Sequence, residues 1–426
     1  MINHRPTRRH RMAHELSSSS PAAATALRDR PMLVALAGMA ALASAMGIGR
    51  FAFTPLLPMM LHDGVVDLAG GSWLATANYI GYLLGALACM ALPWLARRGG
   101  RVPGAAALAR SGLVATALLA LGMALPFSGS WPALRLVAGV ASALVFVNVS
   151  GWCMGRLVAL GRPAMGGLIF CGPGLGITLS GLSASAMVAL EWRAAAGWAV
   201  FGLLATALCA LVWPVVQGAA APRSTAAPAA AAQPAPPRAE RALLTAAYGL
   251  AGLGYIVTAT FLPVIARAVL PAGSAWPDLF WPMFGAGVTA GAVLSTRTPS
   301  HWDRRWLLGG CYAVQAAAIA LGLFWPGAAG FALGSLLLGV PFTAITFYAL
   351  QEARRVWPAA GDSFTGLLTA AYGVGQIAGP PMVALLLHHS ATPAQGFQQA
   401  LAAAAAALVL GIVLYAAMAR RWPLRA

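Results

Sequence analysis

Residues 47–58 read GIGRFAFTPLLP, and residues 252–263 read GLGYIVTATFLP. The stretches lie 205 positions apart and share Gly-x-Gly followed by Leu-Pro at the same spacing. A second match supports the first: Gly166, Gly172 and Pro173 recur as Gly373, Gly379 and Pro380, each 207 positions on. Small residues and prolines recur in apolar helices by chance, so either match alone carries little. Two matches at nearly one offset make the chain an internal duplication.

The duplicated unit is a set of apolar segments. Helices are predicted at 33–61, 71–95, 103–124, 131–154, 164–190 and 193–216, then at 243–269, 277–296, 306–325, 328–350, 364–388 and 396–418. Each is about the 20 residues that a bilayer requires, the first being long enough to need tilt. Composition agrees: 60% of residues are hydrophobic and 9% charged, against about 45–50% and about 25% in soluble domains. Too few charges remain to wet a globule of this size. The sequence therefore predicts an all-α membrane protein with twelve transmembrane helices in two pseudo-symmetric six-helix bundles, 33–216 and 243–418. A Pro/Ala stretch within 217–242 reads as an extended cytoplasmic linker. Residues 1–32 read as a disordered cytoplasmic tail and 419–426 as a second tail. Thr7-Arg8-Arg9 is set aside as an export signal because the apolar stretch after it is too long to be removable.

All 27 basic residues are Arg, against 10 acidic ones. With twelve spans, 22 arginines fall in the tails and the connections on their side; the opposite face has only Arg193 and Arg267, and Arg50, Arg110 and Arg135 lie inside helices. One missed or invented span would scramble that split. It predicts an inner-membrane protein with both termini cytoplasmic. The positive charge decorates loops and forms no basic stripe on a soluble domain, so nucleic acid is not an expected partner. Cys89, Cys153, Cys171, Cys209 and Cys311 sit in apolar runs without metal-ligand or disulfide spacing and read as packing residues. No metal, cofactor or catalytic residue is expected.

Two similar bundles meeting at one interface can rock about a midplane site, which is alternating access. Gly172-Pro173-Gly174-Leu175-Gly176 would make poor straight helix, since Pro removes a donor and Gly adds freedom. Gly172, Pro173 and Gly176, with Gly379 and Pro380 in the other half, are the candidate gating residues; an inert kink is the alternative.

The motifs in combination resemble the major facilitator superfamily, and within it the YbfB/YjiJ-type branch, over residues 33–418. They are GIGRFAFTPLLPMM at 47–60, WLATANYIGYLLGAL at 73–87, RLVAG at 135–139, GPGLG at 172–176 and YGVGQIAGPP at 372–381. The resemblance implies a cavity lined by the first, fourth, seventh and tenth helices. One element departs from it. The loop after the second helix ordinarily carries an Asp, but here it reads Leu95-Ala96-Arg97-Arg98-Gly99-Gly100-Arg101. Asp303-Arg304-Arg305, after the eighth helix, is the candidate to supply part of that gate's charge.

Arg50 lies roughly 15 Å from the outer end of its helix at 1.5 Å per residue, near the midplane. A charge there costs at least about 2.5–3.5 kcal/mol and should face a cavity or a partner. Arg50 is thus the candidate solute anchor, with its repeat counterpart Tyr255 opposing it; a structural Arg bonded to carbonyls near Gly47 and Gly49 is the alternative. Arg135 either faces the cavity or snorkels to the interface. Thr54, Asn78, Tyr82, Thr258, Thr346, Tyr372 and Gln376 complete the candidate solute-binding set, each also able to serve as an interhelical hydrogen bond. Trp73 and Trp131 read as interfacial anchors.

No Asp or Glu falls mid-membrane in this segmentation. Uncompensated arginine there favours an anionic solute such as a small carboxylate. The expected function is secondary active transport of that solute, with protons as a further partner by co-binding, the lipid bilayer as environment and a monomer as the unit. Export of amphipathic small molecules is the alternative reading. A membrane-embedded transferase is disfavoured because the loops are short and lack clustered carboxylates or histidines.

Overall fold

The structure, a computed structural model, describes residues 29–218, 237–299, 301–357 and 361–424. The tail before residue 29, residues 219–236 of the expected linker and the last two residues lie outside them, as does the disorder expected there. The described residues form helices joined by short turns, with no strand. In chain order they are α1 (Pro31–His62), α2 (Leu68–Arg97), α3 (Ala105–Met123), α4 (Trp131–Ala159), α5 (Pro163–Ala189) and α6 (Ala194–Val212). The second set is α7 (Arg238–Val269), α8 (Trp276–Ser295), α9 (Arg304–Phe324), α10 (Ala328–Val356), α11 (Gly361–His389) and α12 (Pro393–Arg421). Helix α7 begins inside the stretch expected to be linker, and α12 ends inside the expected tail.

Eleven of these helices are long and apolar enough to cross a membrane. Helix α8 has the length but not the hydropathy, because Trp276, Pro277, Asp278, Trp281 and Pro282 crowd its start. It nevertheless packs between α5 and α10 as a full member of the bundle.

The packing repeats as the sequence does. Helix α1 lies on α5 and α7 on α11; α2 on α4 and α8 on α10; α3 on α6 and α9 on α12. The halves meet along α2–α11 and α5–α8, two seams that the repeat interchanges. Lipid tails supply no hydrophobic drive between helices, so close backbone approach must hold them. Gly47 and Gly176 provide it: a methyl on Gly176 would fall 2.8 Å from the Ala43 Cα and 2.9 Å from the Gly47 Cα. Gly172 and Gly176 therefore bind α5 to α1 within one half. Gly174 between them faces Gly285 and Thr289 of α8, across the seam. Helix α5 breaks at Phe170 and Cys171, just before Gly172, because Pro173 has no N–H with which to continue the ladder.

Helix α1 is not uniform either. Over Ala43–Arg50 it widens to a π-helical turn in which the Phe51 N–H reaches back five residues to Met46 O at 3.0 Å. Beyond it, the Thr54 N–H goes to Phe51 O and Pro55 has no N–H to offer. The carbonyls of Gly49 and Arg50 need donors from elsewhere.

Candidate functional site

Those donors come from Arg135. Its Nη1 donates to Gly49 O at 3.3 Å and its Nη2 to Arg50 O at 3.2 Å, while the guanidinium lies 4.8 Å from the Phe53 ring centre and 5.9 Å from that of Trp198. Arg135 is 2% exposed. It neither snorkels nor faces a chamber, and serves instead as a splint on the π-turn. The structural role weighed for Arg50 is filled by this second arginine. Arg135→Met should leave two buried acceptors unpaired at about 1–3 kcal/mol each. A thermal-shift measurement in detergent should show a lowered Tm; an unchanged Tm would remove the splint.

The freed helix turn places Arg50 at the centre of the molecule, 3% exposed. Its Nη2 donates to Gln376 Oε1 at 2.7 Å, and the Gln376 amide in turn donates to the Tyr255 hydroxyl. The repeat-related pair Arg50 and Tyr255 thus meets on one carboxamide from α11. The guanidinium also stands 3.9 Å from the centre of the Tyr82 ring, and Arg50 Nε is buried without a partner. Arg50 makes no ion pair among the described residues. A cation desolvated over an aromatic face gains about 2 kcal/mol or more.

Aromatic rings wall this centre. Tyr372 stacks on Tyr248 at 4.8 Å and on Tyr255 at 5.9 Å, and Phe342 meets Tyr255 edge-on at 5.0 Å. The Tyr248 hydroxyl lies 3.2 Å from Thr346 Oγ1. Tyr82, Phe342, Thr346 and Tyr372 are half-buried. Arg50, Tyr82, Tyr255, Tyr372 and Gln376 are therefore brought together as the sequence suggested, with Thr346 joined through Tyr248.

Other candidates go elsewhere. Asn78 donates to Arg135 O at 2.9 Å and fastens α2 to α4. Thr258 has a buried, unpartnered hydroxyl and lines a small void inside the second half with Ile265, Ala318 and Phe331, away from Arg50's partners. Thr54 donates to Ala259 O at 2.8 Å, joining α1 to α7. Trp131, expected at the interface, is buried. Sequence reasoning missed Tyr248 and Phe342. Tyr248 was findable, because it precedes Tyr255 by seven residues, two helical turns on one face.

On the side away from the chain ends, the halves are closed. The Tyr79 hydroxyl bonds Thr260 Oγ1 at 2.8 Å beside the Thr54 contact, and Phe53–Met60 and Gly254–Ala266 are buried throughout. Ser185 of α5 donates to Asp278 O of α8 at 2.7 Å near the same rim.

The side near the chain ends carries a charge cluster within the second half. Arg305, fully buried, donates to Asp303, Met418 O and Trp422 O and lies 3.7 Å from Glu352; Arg355 binds Glu352 and Glu240. Burial works to raise the Asp303 carboxyl, but the side-chain and backbone hydrogen bonds from Arg305 and the charges of Arg305 and Arg355 bring it below the usual range. Its stabilisation is present above the unfolded-state value of about 4 and drains away as pH falls through the lower folded value.

The chain shares its fold with several solved transporters. A mutant form of the nucleoside transporter NupG superposes with a TM-score of 0.70 at 14% identity, covering 90% of this chain and 99% of that one. A D-xylose-proton symporter gives 0.67 at 13% identity over 89% and 96%. A bacterial homologue of the human lysosomal transporter Spinster, inward-facing and occupied, gives 0.63 at 15% identity over 91% and 96%. No curated protein sequence matches the chain significantly. The family model described as "Uncharacterised MFS-type transporter YbfB" matches residues 42–416, and the chain belongs to that family of multi-pass membrane transporters.

Proposed function

We propose that this transporter moves a small organic anion by alternating access, anchored on Arg50, with both chain ends in the cytoplasm and the bundles 33–216 and 243–418 as the rocking units. One observation carries the reading. A buried guanidinium with no carboxylate partner among the described residues is held by a neutral amide oxygen, Gln376 Oε1, at 2.7 Å. That oxygen occupies the position a solute carboxylate oxygen would take, and a charged acceptor would bind about twice as strongly. Displacing it frees Gln376 from Tyr255 as well, so binding is felt in both halves.

The closed rim is the other half of the cycle. Thr54 and Tyr79 reach Ala259 and Thr260 across the interface, and each bond contributes about 0.5–1.5 kcal/mol. The Thr54→Val, Tyr79→Phe double variant should shift the population toward the state open on that side by roughly five- to 150-fold. Labelling of Ala259→Cys in that background by an impermeant maleimide should rise accordingly; unchanged labelling would remove these residues from the gate.

The aromatic wall of Tyr248, Tyr255, Phe342 and Tyr372 favours a second reading, export of amphipathic molecules. Counterflow in proteoliposomes decides between them. Exchange of labelled small carboxylates supports the anion reading. Uptake of lipophilic dyes without any carboxylate exchange supports the second.

A further inference from the structure

Each half of the molecule ends its sixth helix on a tryptophan whose carbonyl is held by an arginine from the third. In the second half, Arg305 of α9 donates to Trp422 O at 2.6 Å. In the first, Arg110 of α3 donates to Trp213 O at 2.8 Å. The two tryptophans are 209 positions apart, close to the offset of the repeat. Their surroundings differ in one respect. Arg305 is enclosed and neutralised by Asp303 and Glu352. Arg110 has no ion pair among the described residues, and its Nε is buried without a hydrogen-bond partner.

Arg110 also stands at the head of a groove. The open groove, about 520 Å³, runs along the outer face of α3 over Ala107, Arg110, Ser111, Val114 and Leu118 and is bounded by Trp213 just past the end of α6. Leu118 is 62% exposed and Trp213 41%. Arg110 lies five residues into α3 from Ala105, roughly 8 Å at 1.5 Å per residue. That depth is the headgroup boundary of the leaflet on the side of the chain ends. The Trp213 ring beneath the guanidinium, at 3.9 Å, fits the aromatic belt of that level.

We propose that this groove binds an anionic phospholipid, its phosphate on Arg110 and an acyl chain along Val114 and Leu118. The lipid phosphate supplies to the first half the negative charge that Asp303 and Glu352 supply to the second. The exposed edge of the guanidinium supplies its donors, while Nη2 stays on Trp213 O. The apolar floor favours a ligand with a hydrocarbon tail over a free phosphate ion.

Native mass spectrometry of the purified full chain, titrated with phosphatidylglycerol or phosphatidylcholine of matched acyl chains, tests this. One basic residue at a membrane surface contributes about 1 kcal/mol, so Arg110 should favour phosphatidylglycerol by about fivefold. Arg110→Gln should lose that preference and Arg110→Lys keep most of it, while Arg101→Gln, at an exposed loop position, should leave it intact. Leu118→Trp, which fills the groove and keeps the charge, should weaken retention of both lipids. Equal preference in Arg110→Gln and wild type, or a loss no larger than in Arg101→Gln, would overturn the proposal. Should Arg110→Gln fail to fold, Leu118→Trp decides: retention of phosphatidylglycerol at the wild-type level would overturn it.

Discussion

Arg50→Ala is expected to abolish anion exchange in proteoliposomes while the purified protein keeps its elution profile and Tm. Truncating one partner of a buried charge pair costs about 2–5 kcal/mol, so flux should fall roughly thirtyfold or more. Folding should survive because the Gln376 side chain that accepts from Arg50 keeps Tyr255 as a partner, and the Arg50 carbonyl held by Arg135 is untouched by the substitution. Arg50→Lys retains the charge but loses the planar fork and should fall between the two. Wild-type flux in Arg50→Ala would remove the anchor. A collapsed Tm would instead make Arg50 a structural residue, in contrast to the pattern expected of Arg135.

Arg305→Leu should cause the largest loss of folded protein. It leaves Glu352, which is fully buried, with Arg355 alone, it orphans the Trp422 carbonyl, and it leaves Met418 O with the Trp422 N–H as its remaining donor. Breaking a buried ion pair by removing one partner costs about 3–5 kcal/mol. The starts of α7 and α9 and the ends of α10 and α12 all converge on this cluster, so the whole second half is affected. Fluorescence-detected size exclusion should show a collapsed monodisperse peak for Arg305→Leu and a normal one for Arg420→Leu, whose side chain is exposed. Equal peaks would show the cluster to be dispensable.

The helices were legible because hydropathy and prolines bound them, and the pairing of the halves because Gly47 and Gly252 carry one motif. Arg50 was legible because a midplane charge is costly enough to demand a purpose. Tyr255 followed from the repeat alone. What could not be read was helix rotation. Asn78 and Tyr82 share a face by spacing, yet Asn78 turns to the α4 backbone and Tyr82 to the Arg50 guanidinium, since α2 crosses α4 at Gly81 and Gly139. Arg135 was misread for a different reason. Its targets are carbonyls exposed only by the π-turn, and no periodicity announces a turn one residue wider than its neighbours. Thr258 lies three residues from Tyr255, and that rotation is enough to aim it into the interior of its own half.

The side chains gathered around Gln376 are phenols, hydroxyls, a carboxamide and a guanidinium, with no carboxylate, imidazole or amine among them. Side chains of these kinds exchange no proton near neutrality. A weak acid crossing by this route should therefore carry its own titration curve into the rate. Flux measured from pH 5 to 8 should track the ionised fraction of whichever acid is supplied, shifting along the axis when a stronger acid replaces a weaker one.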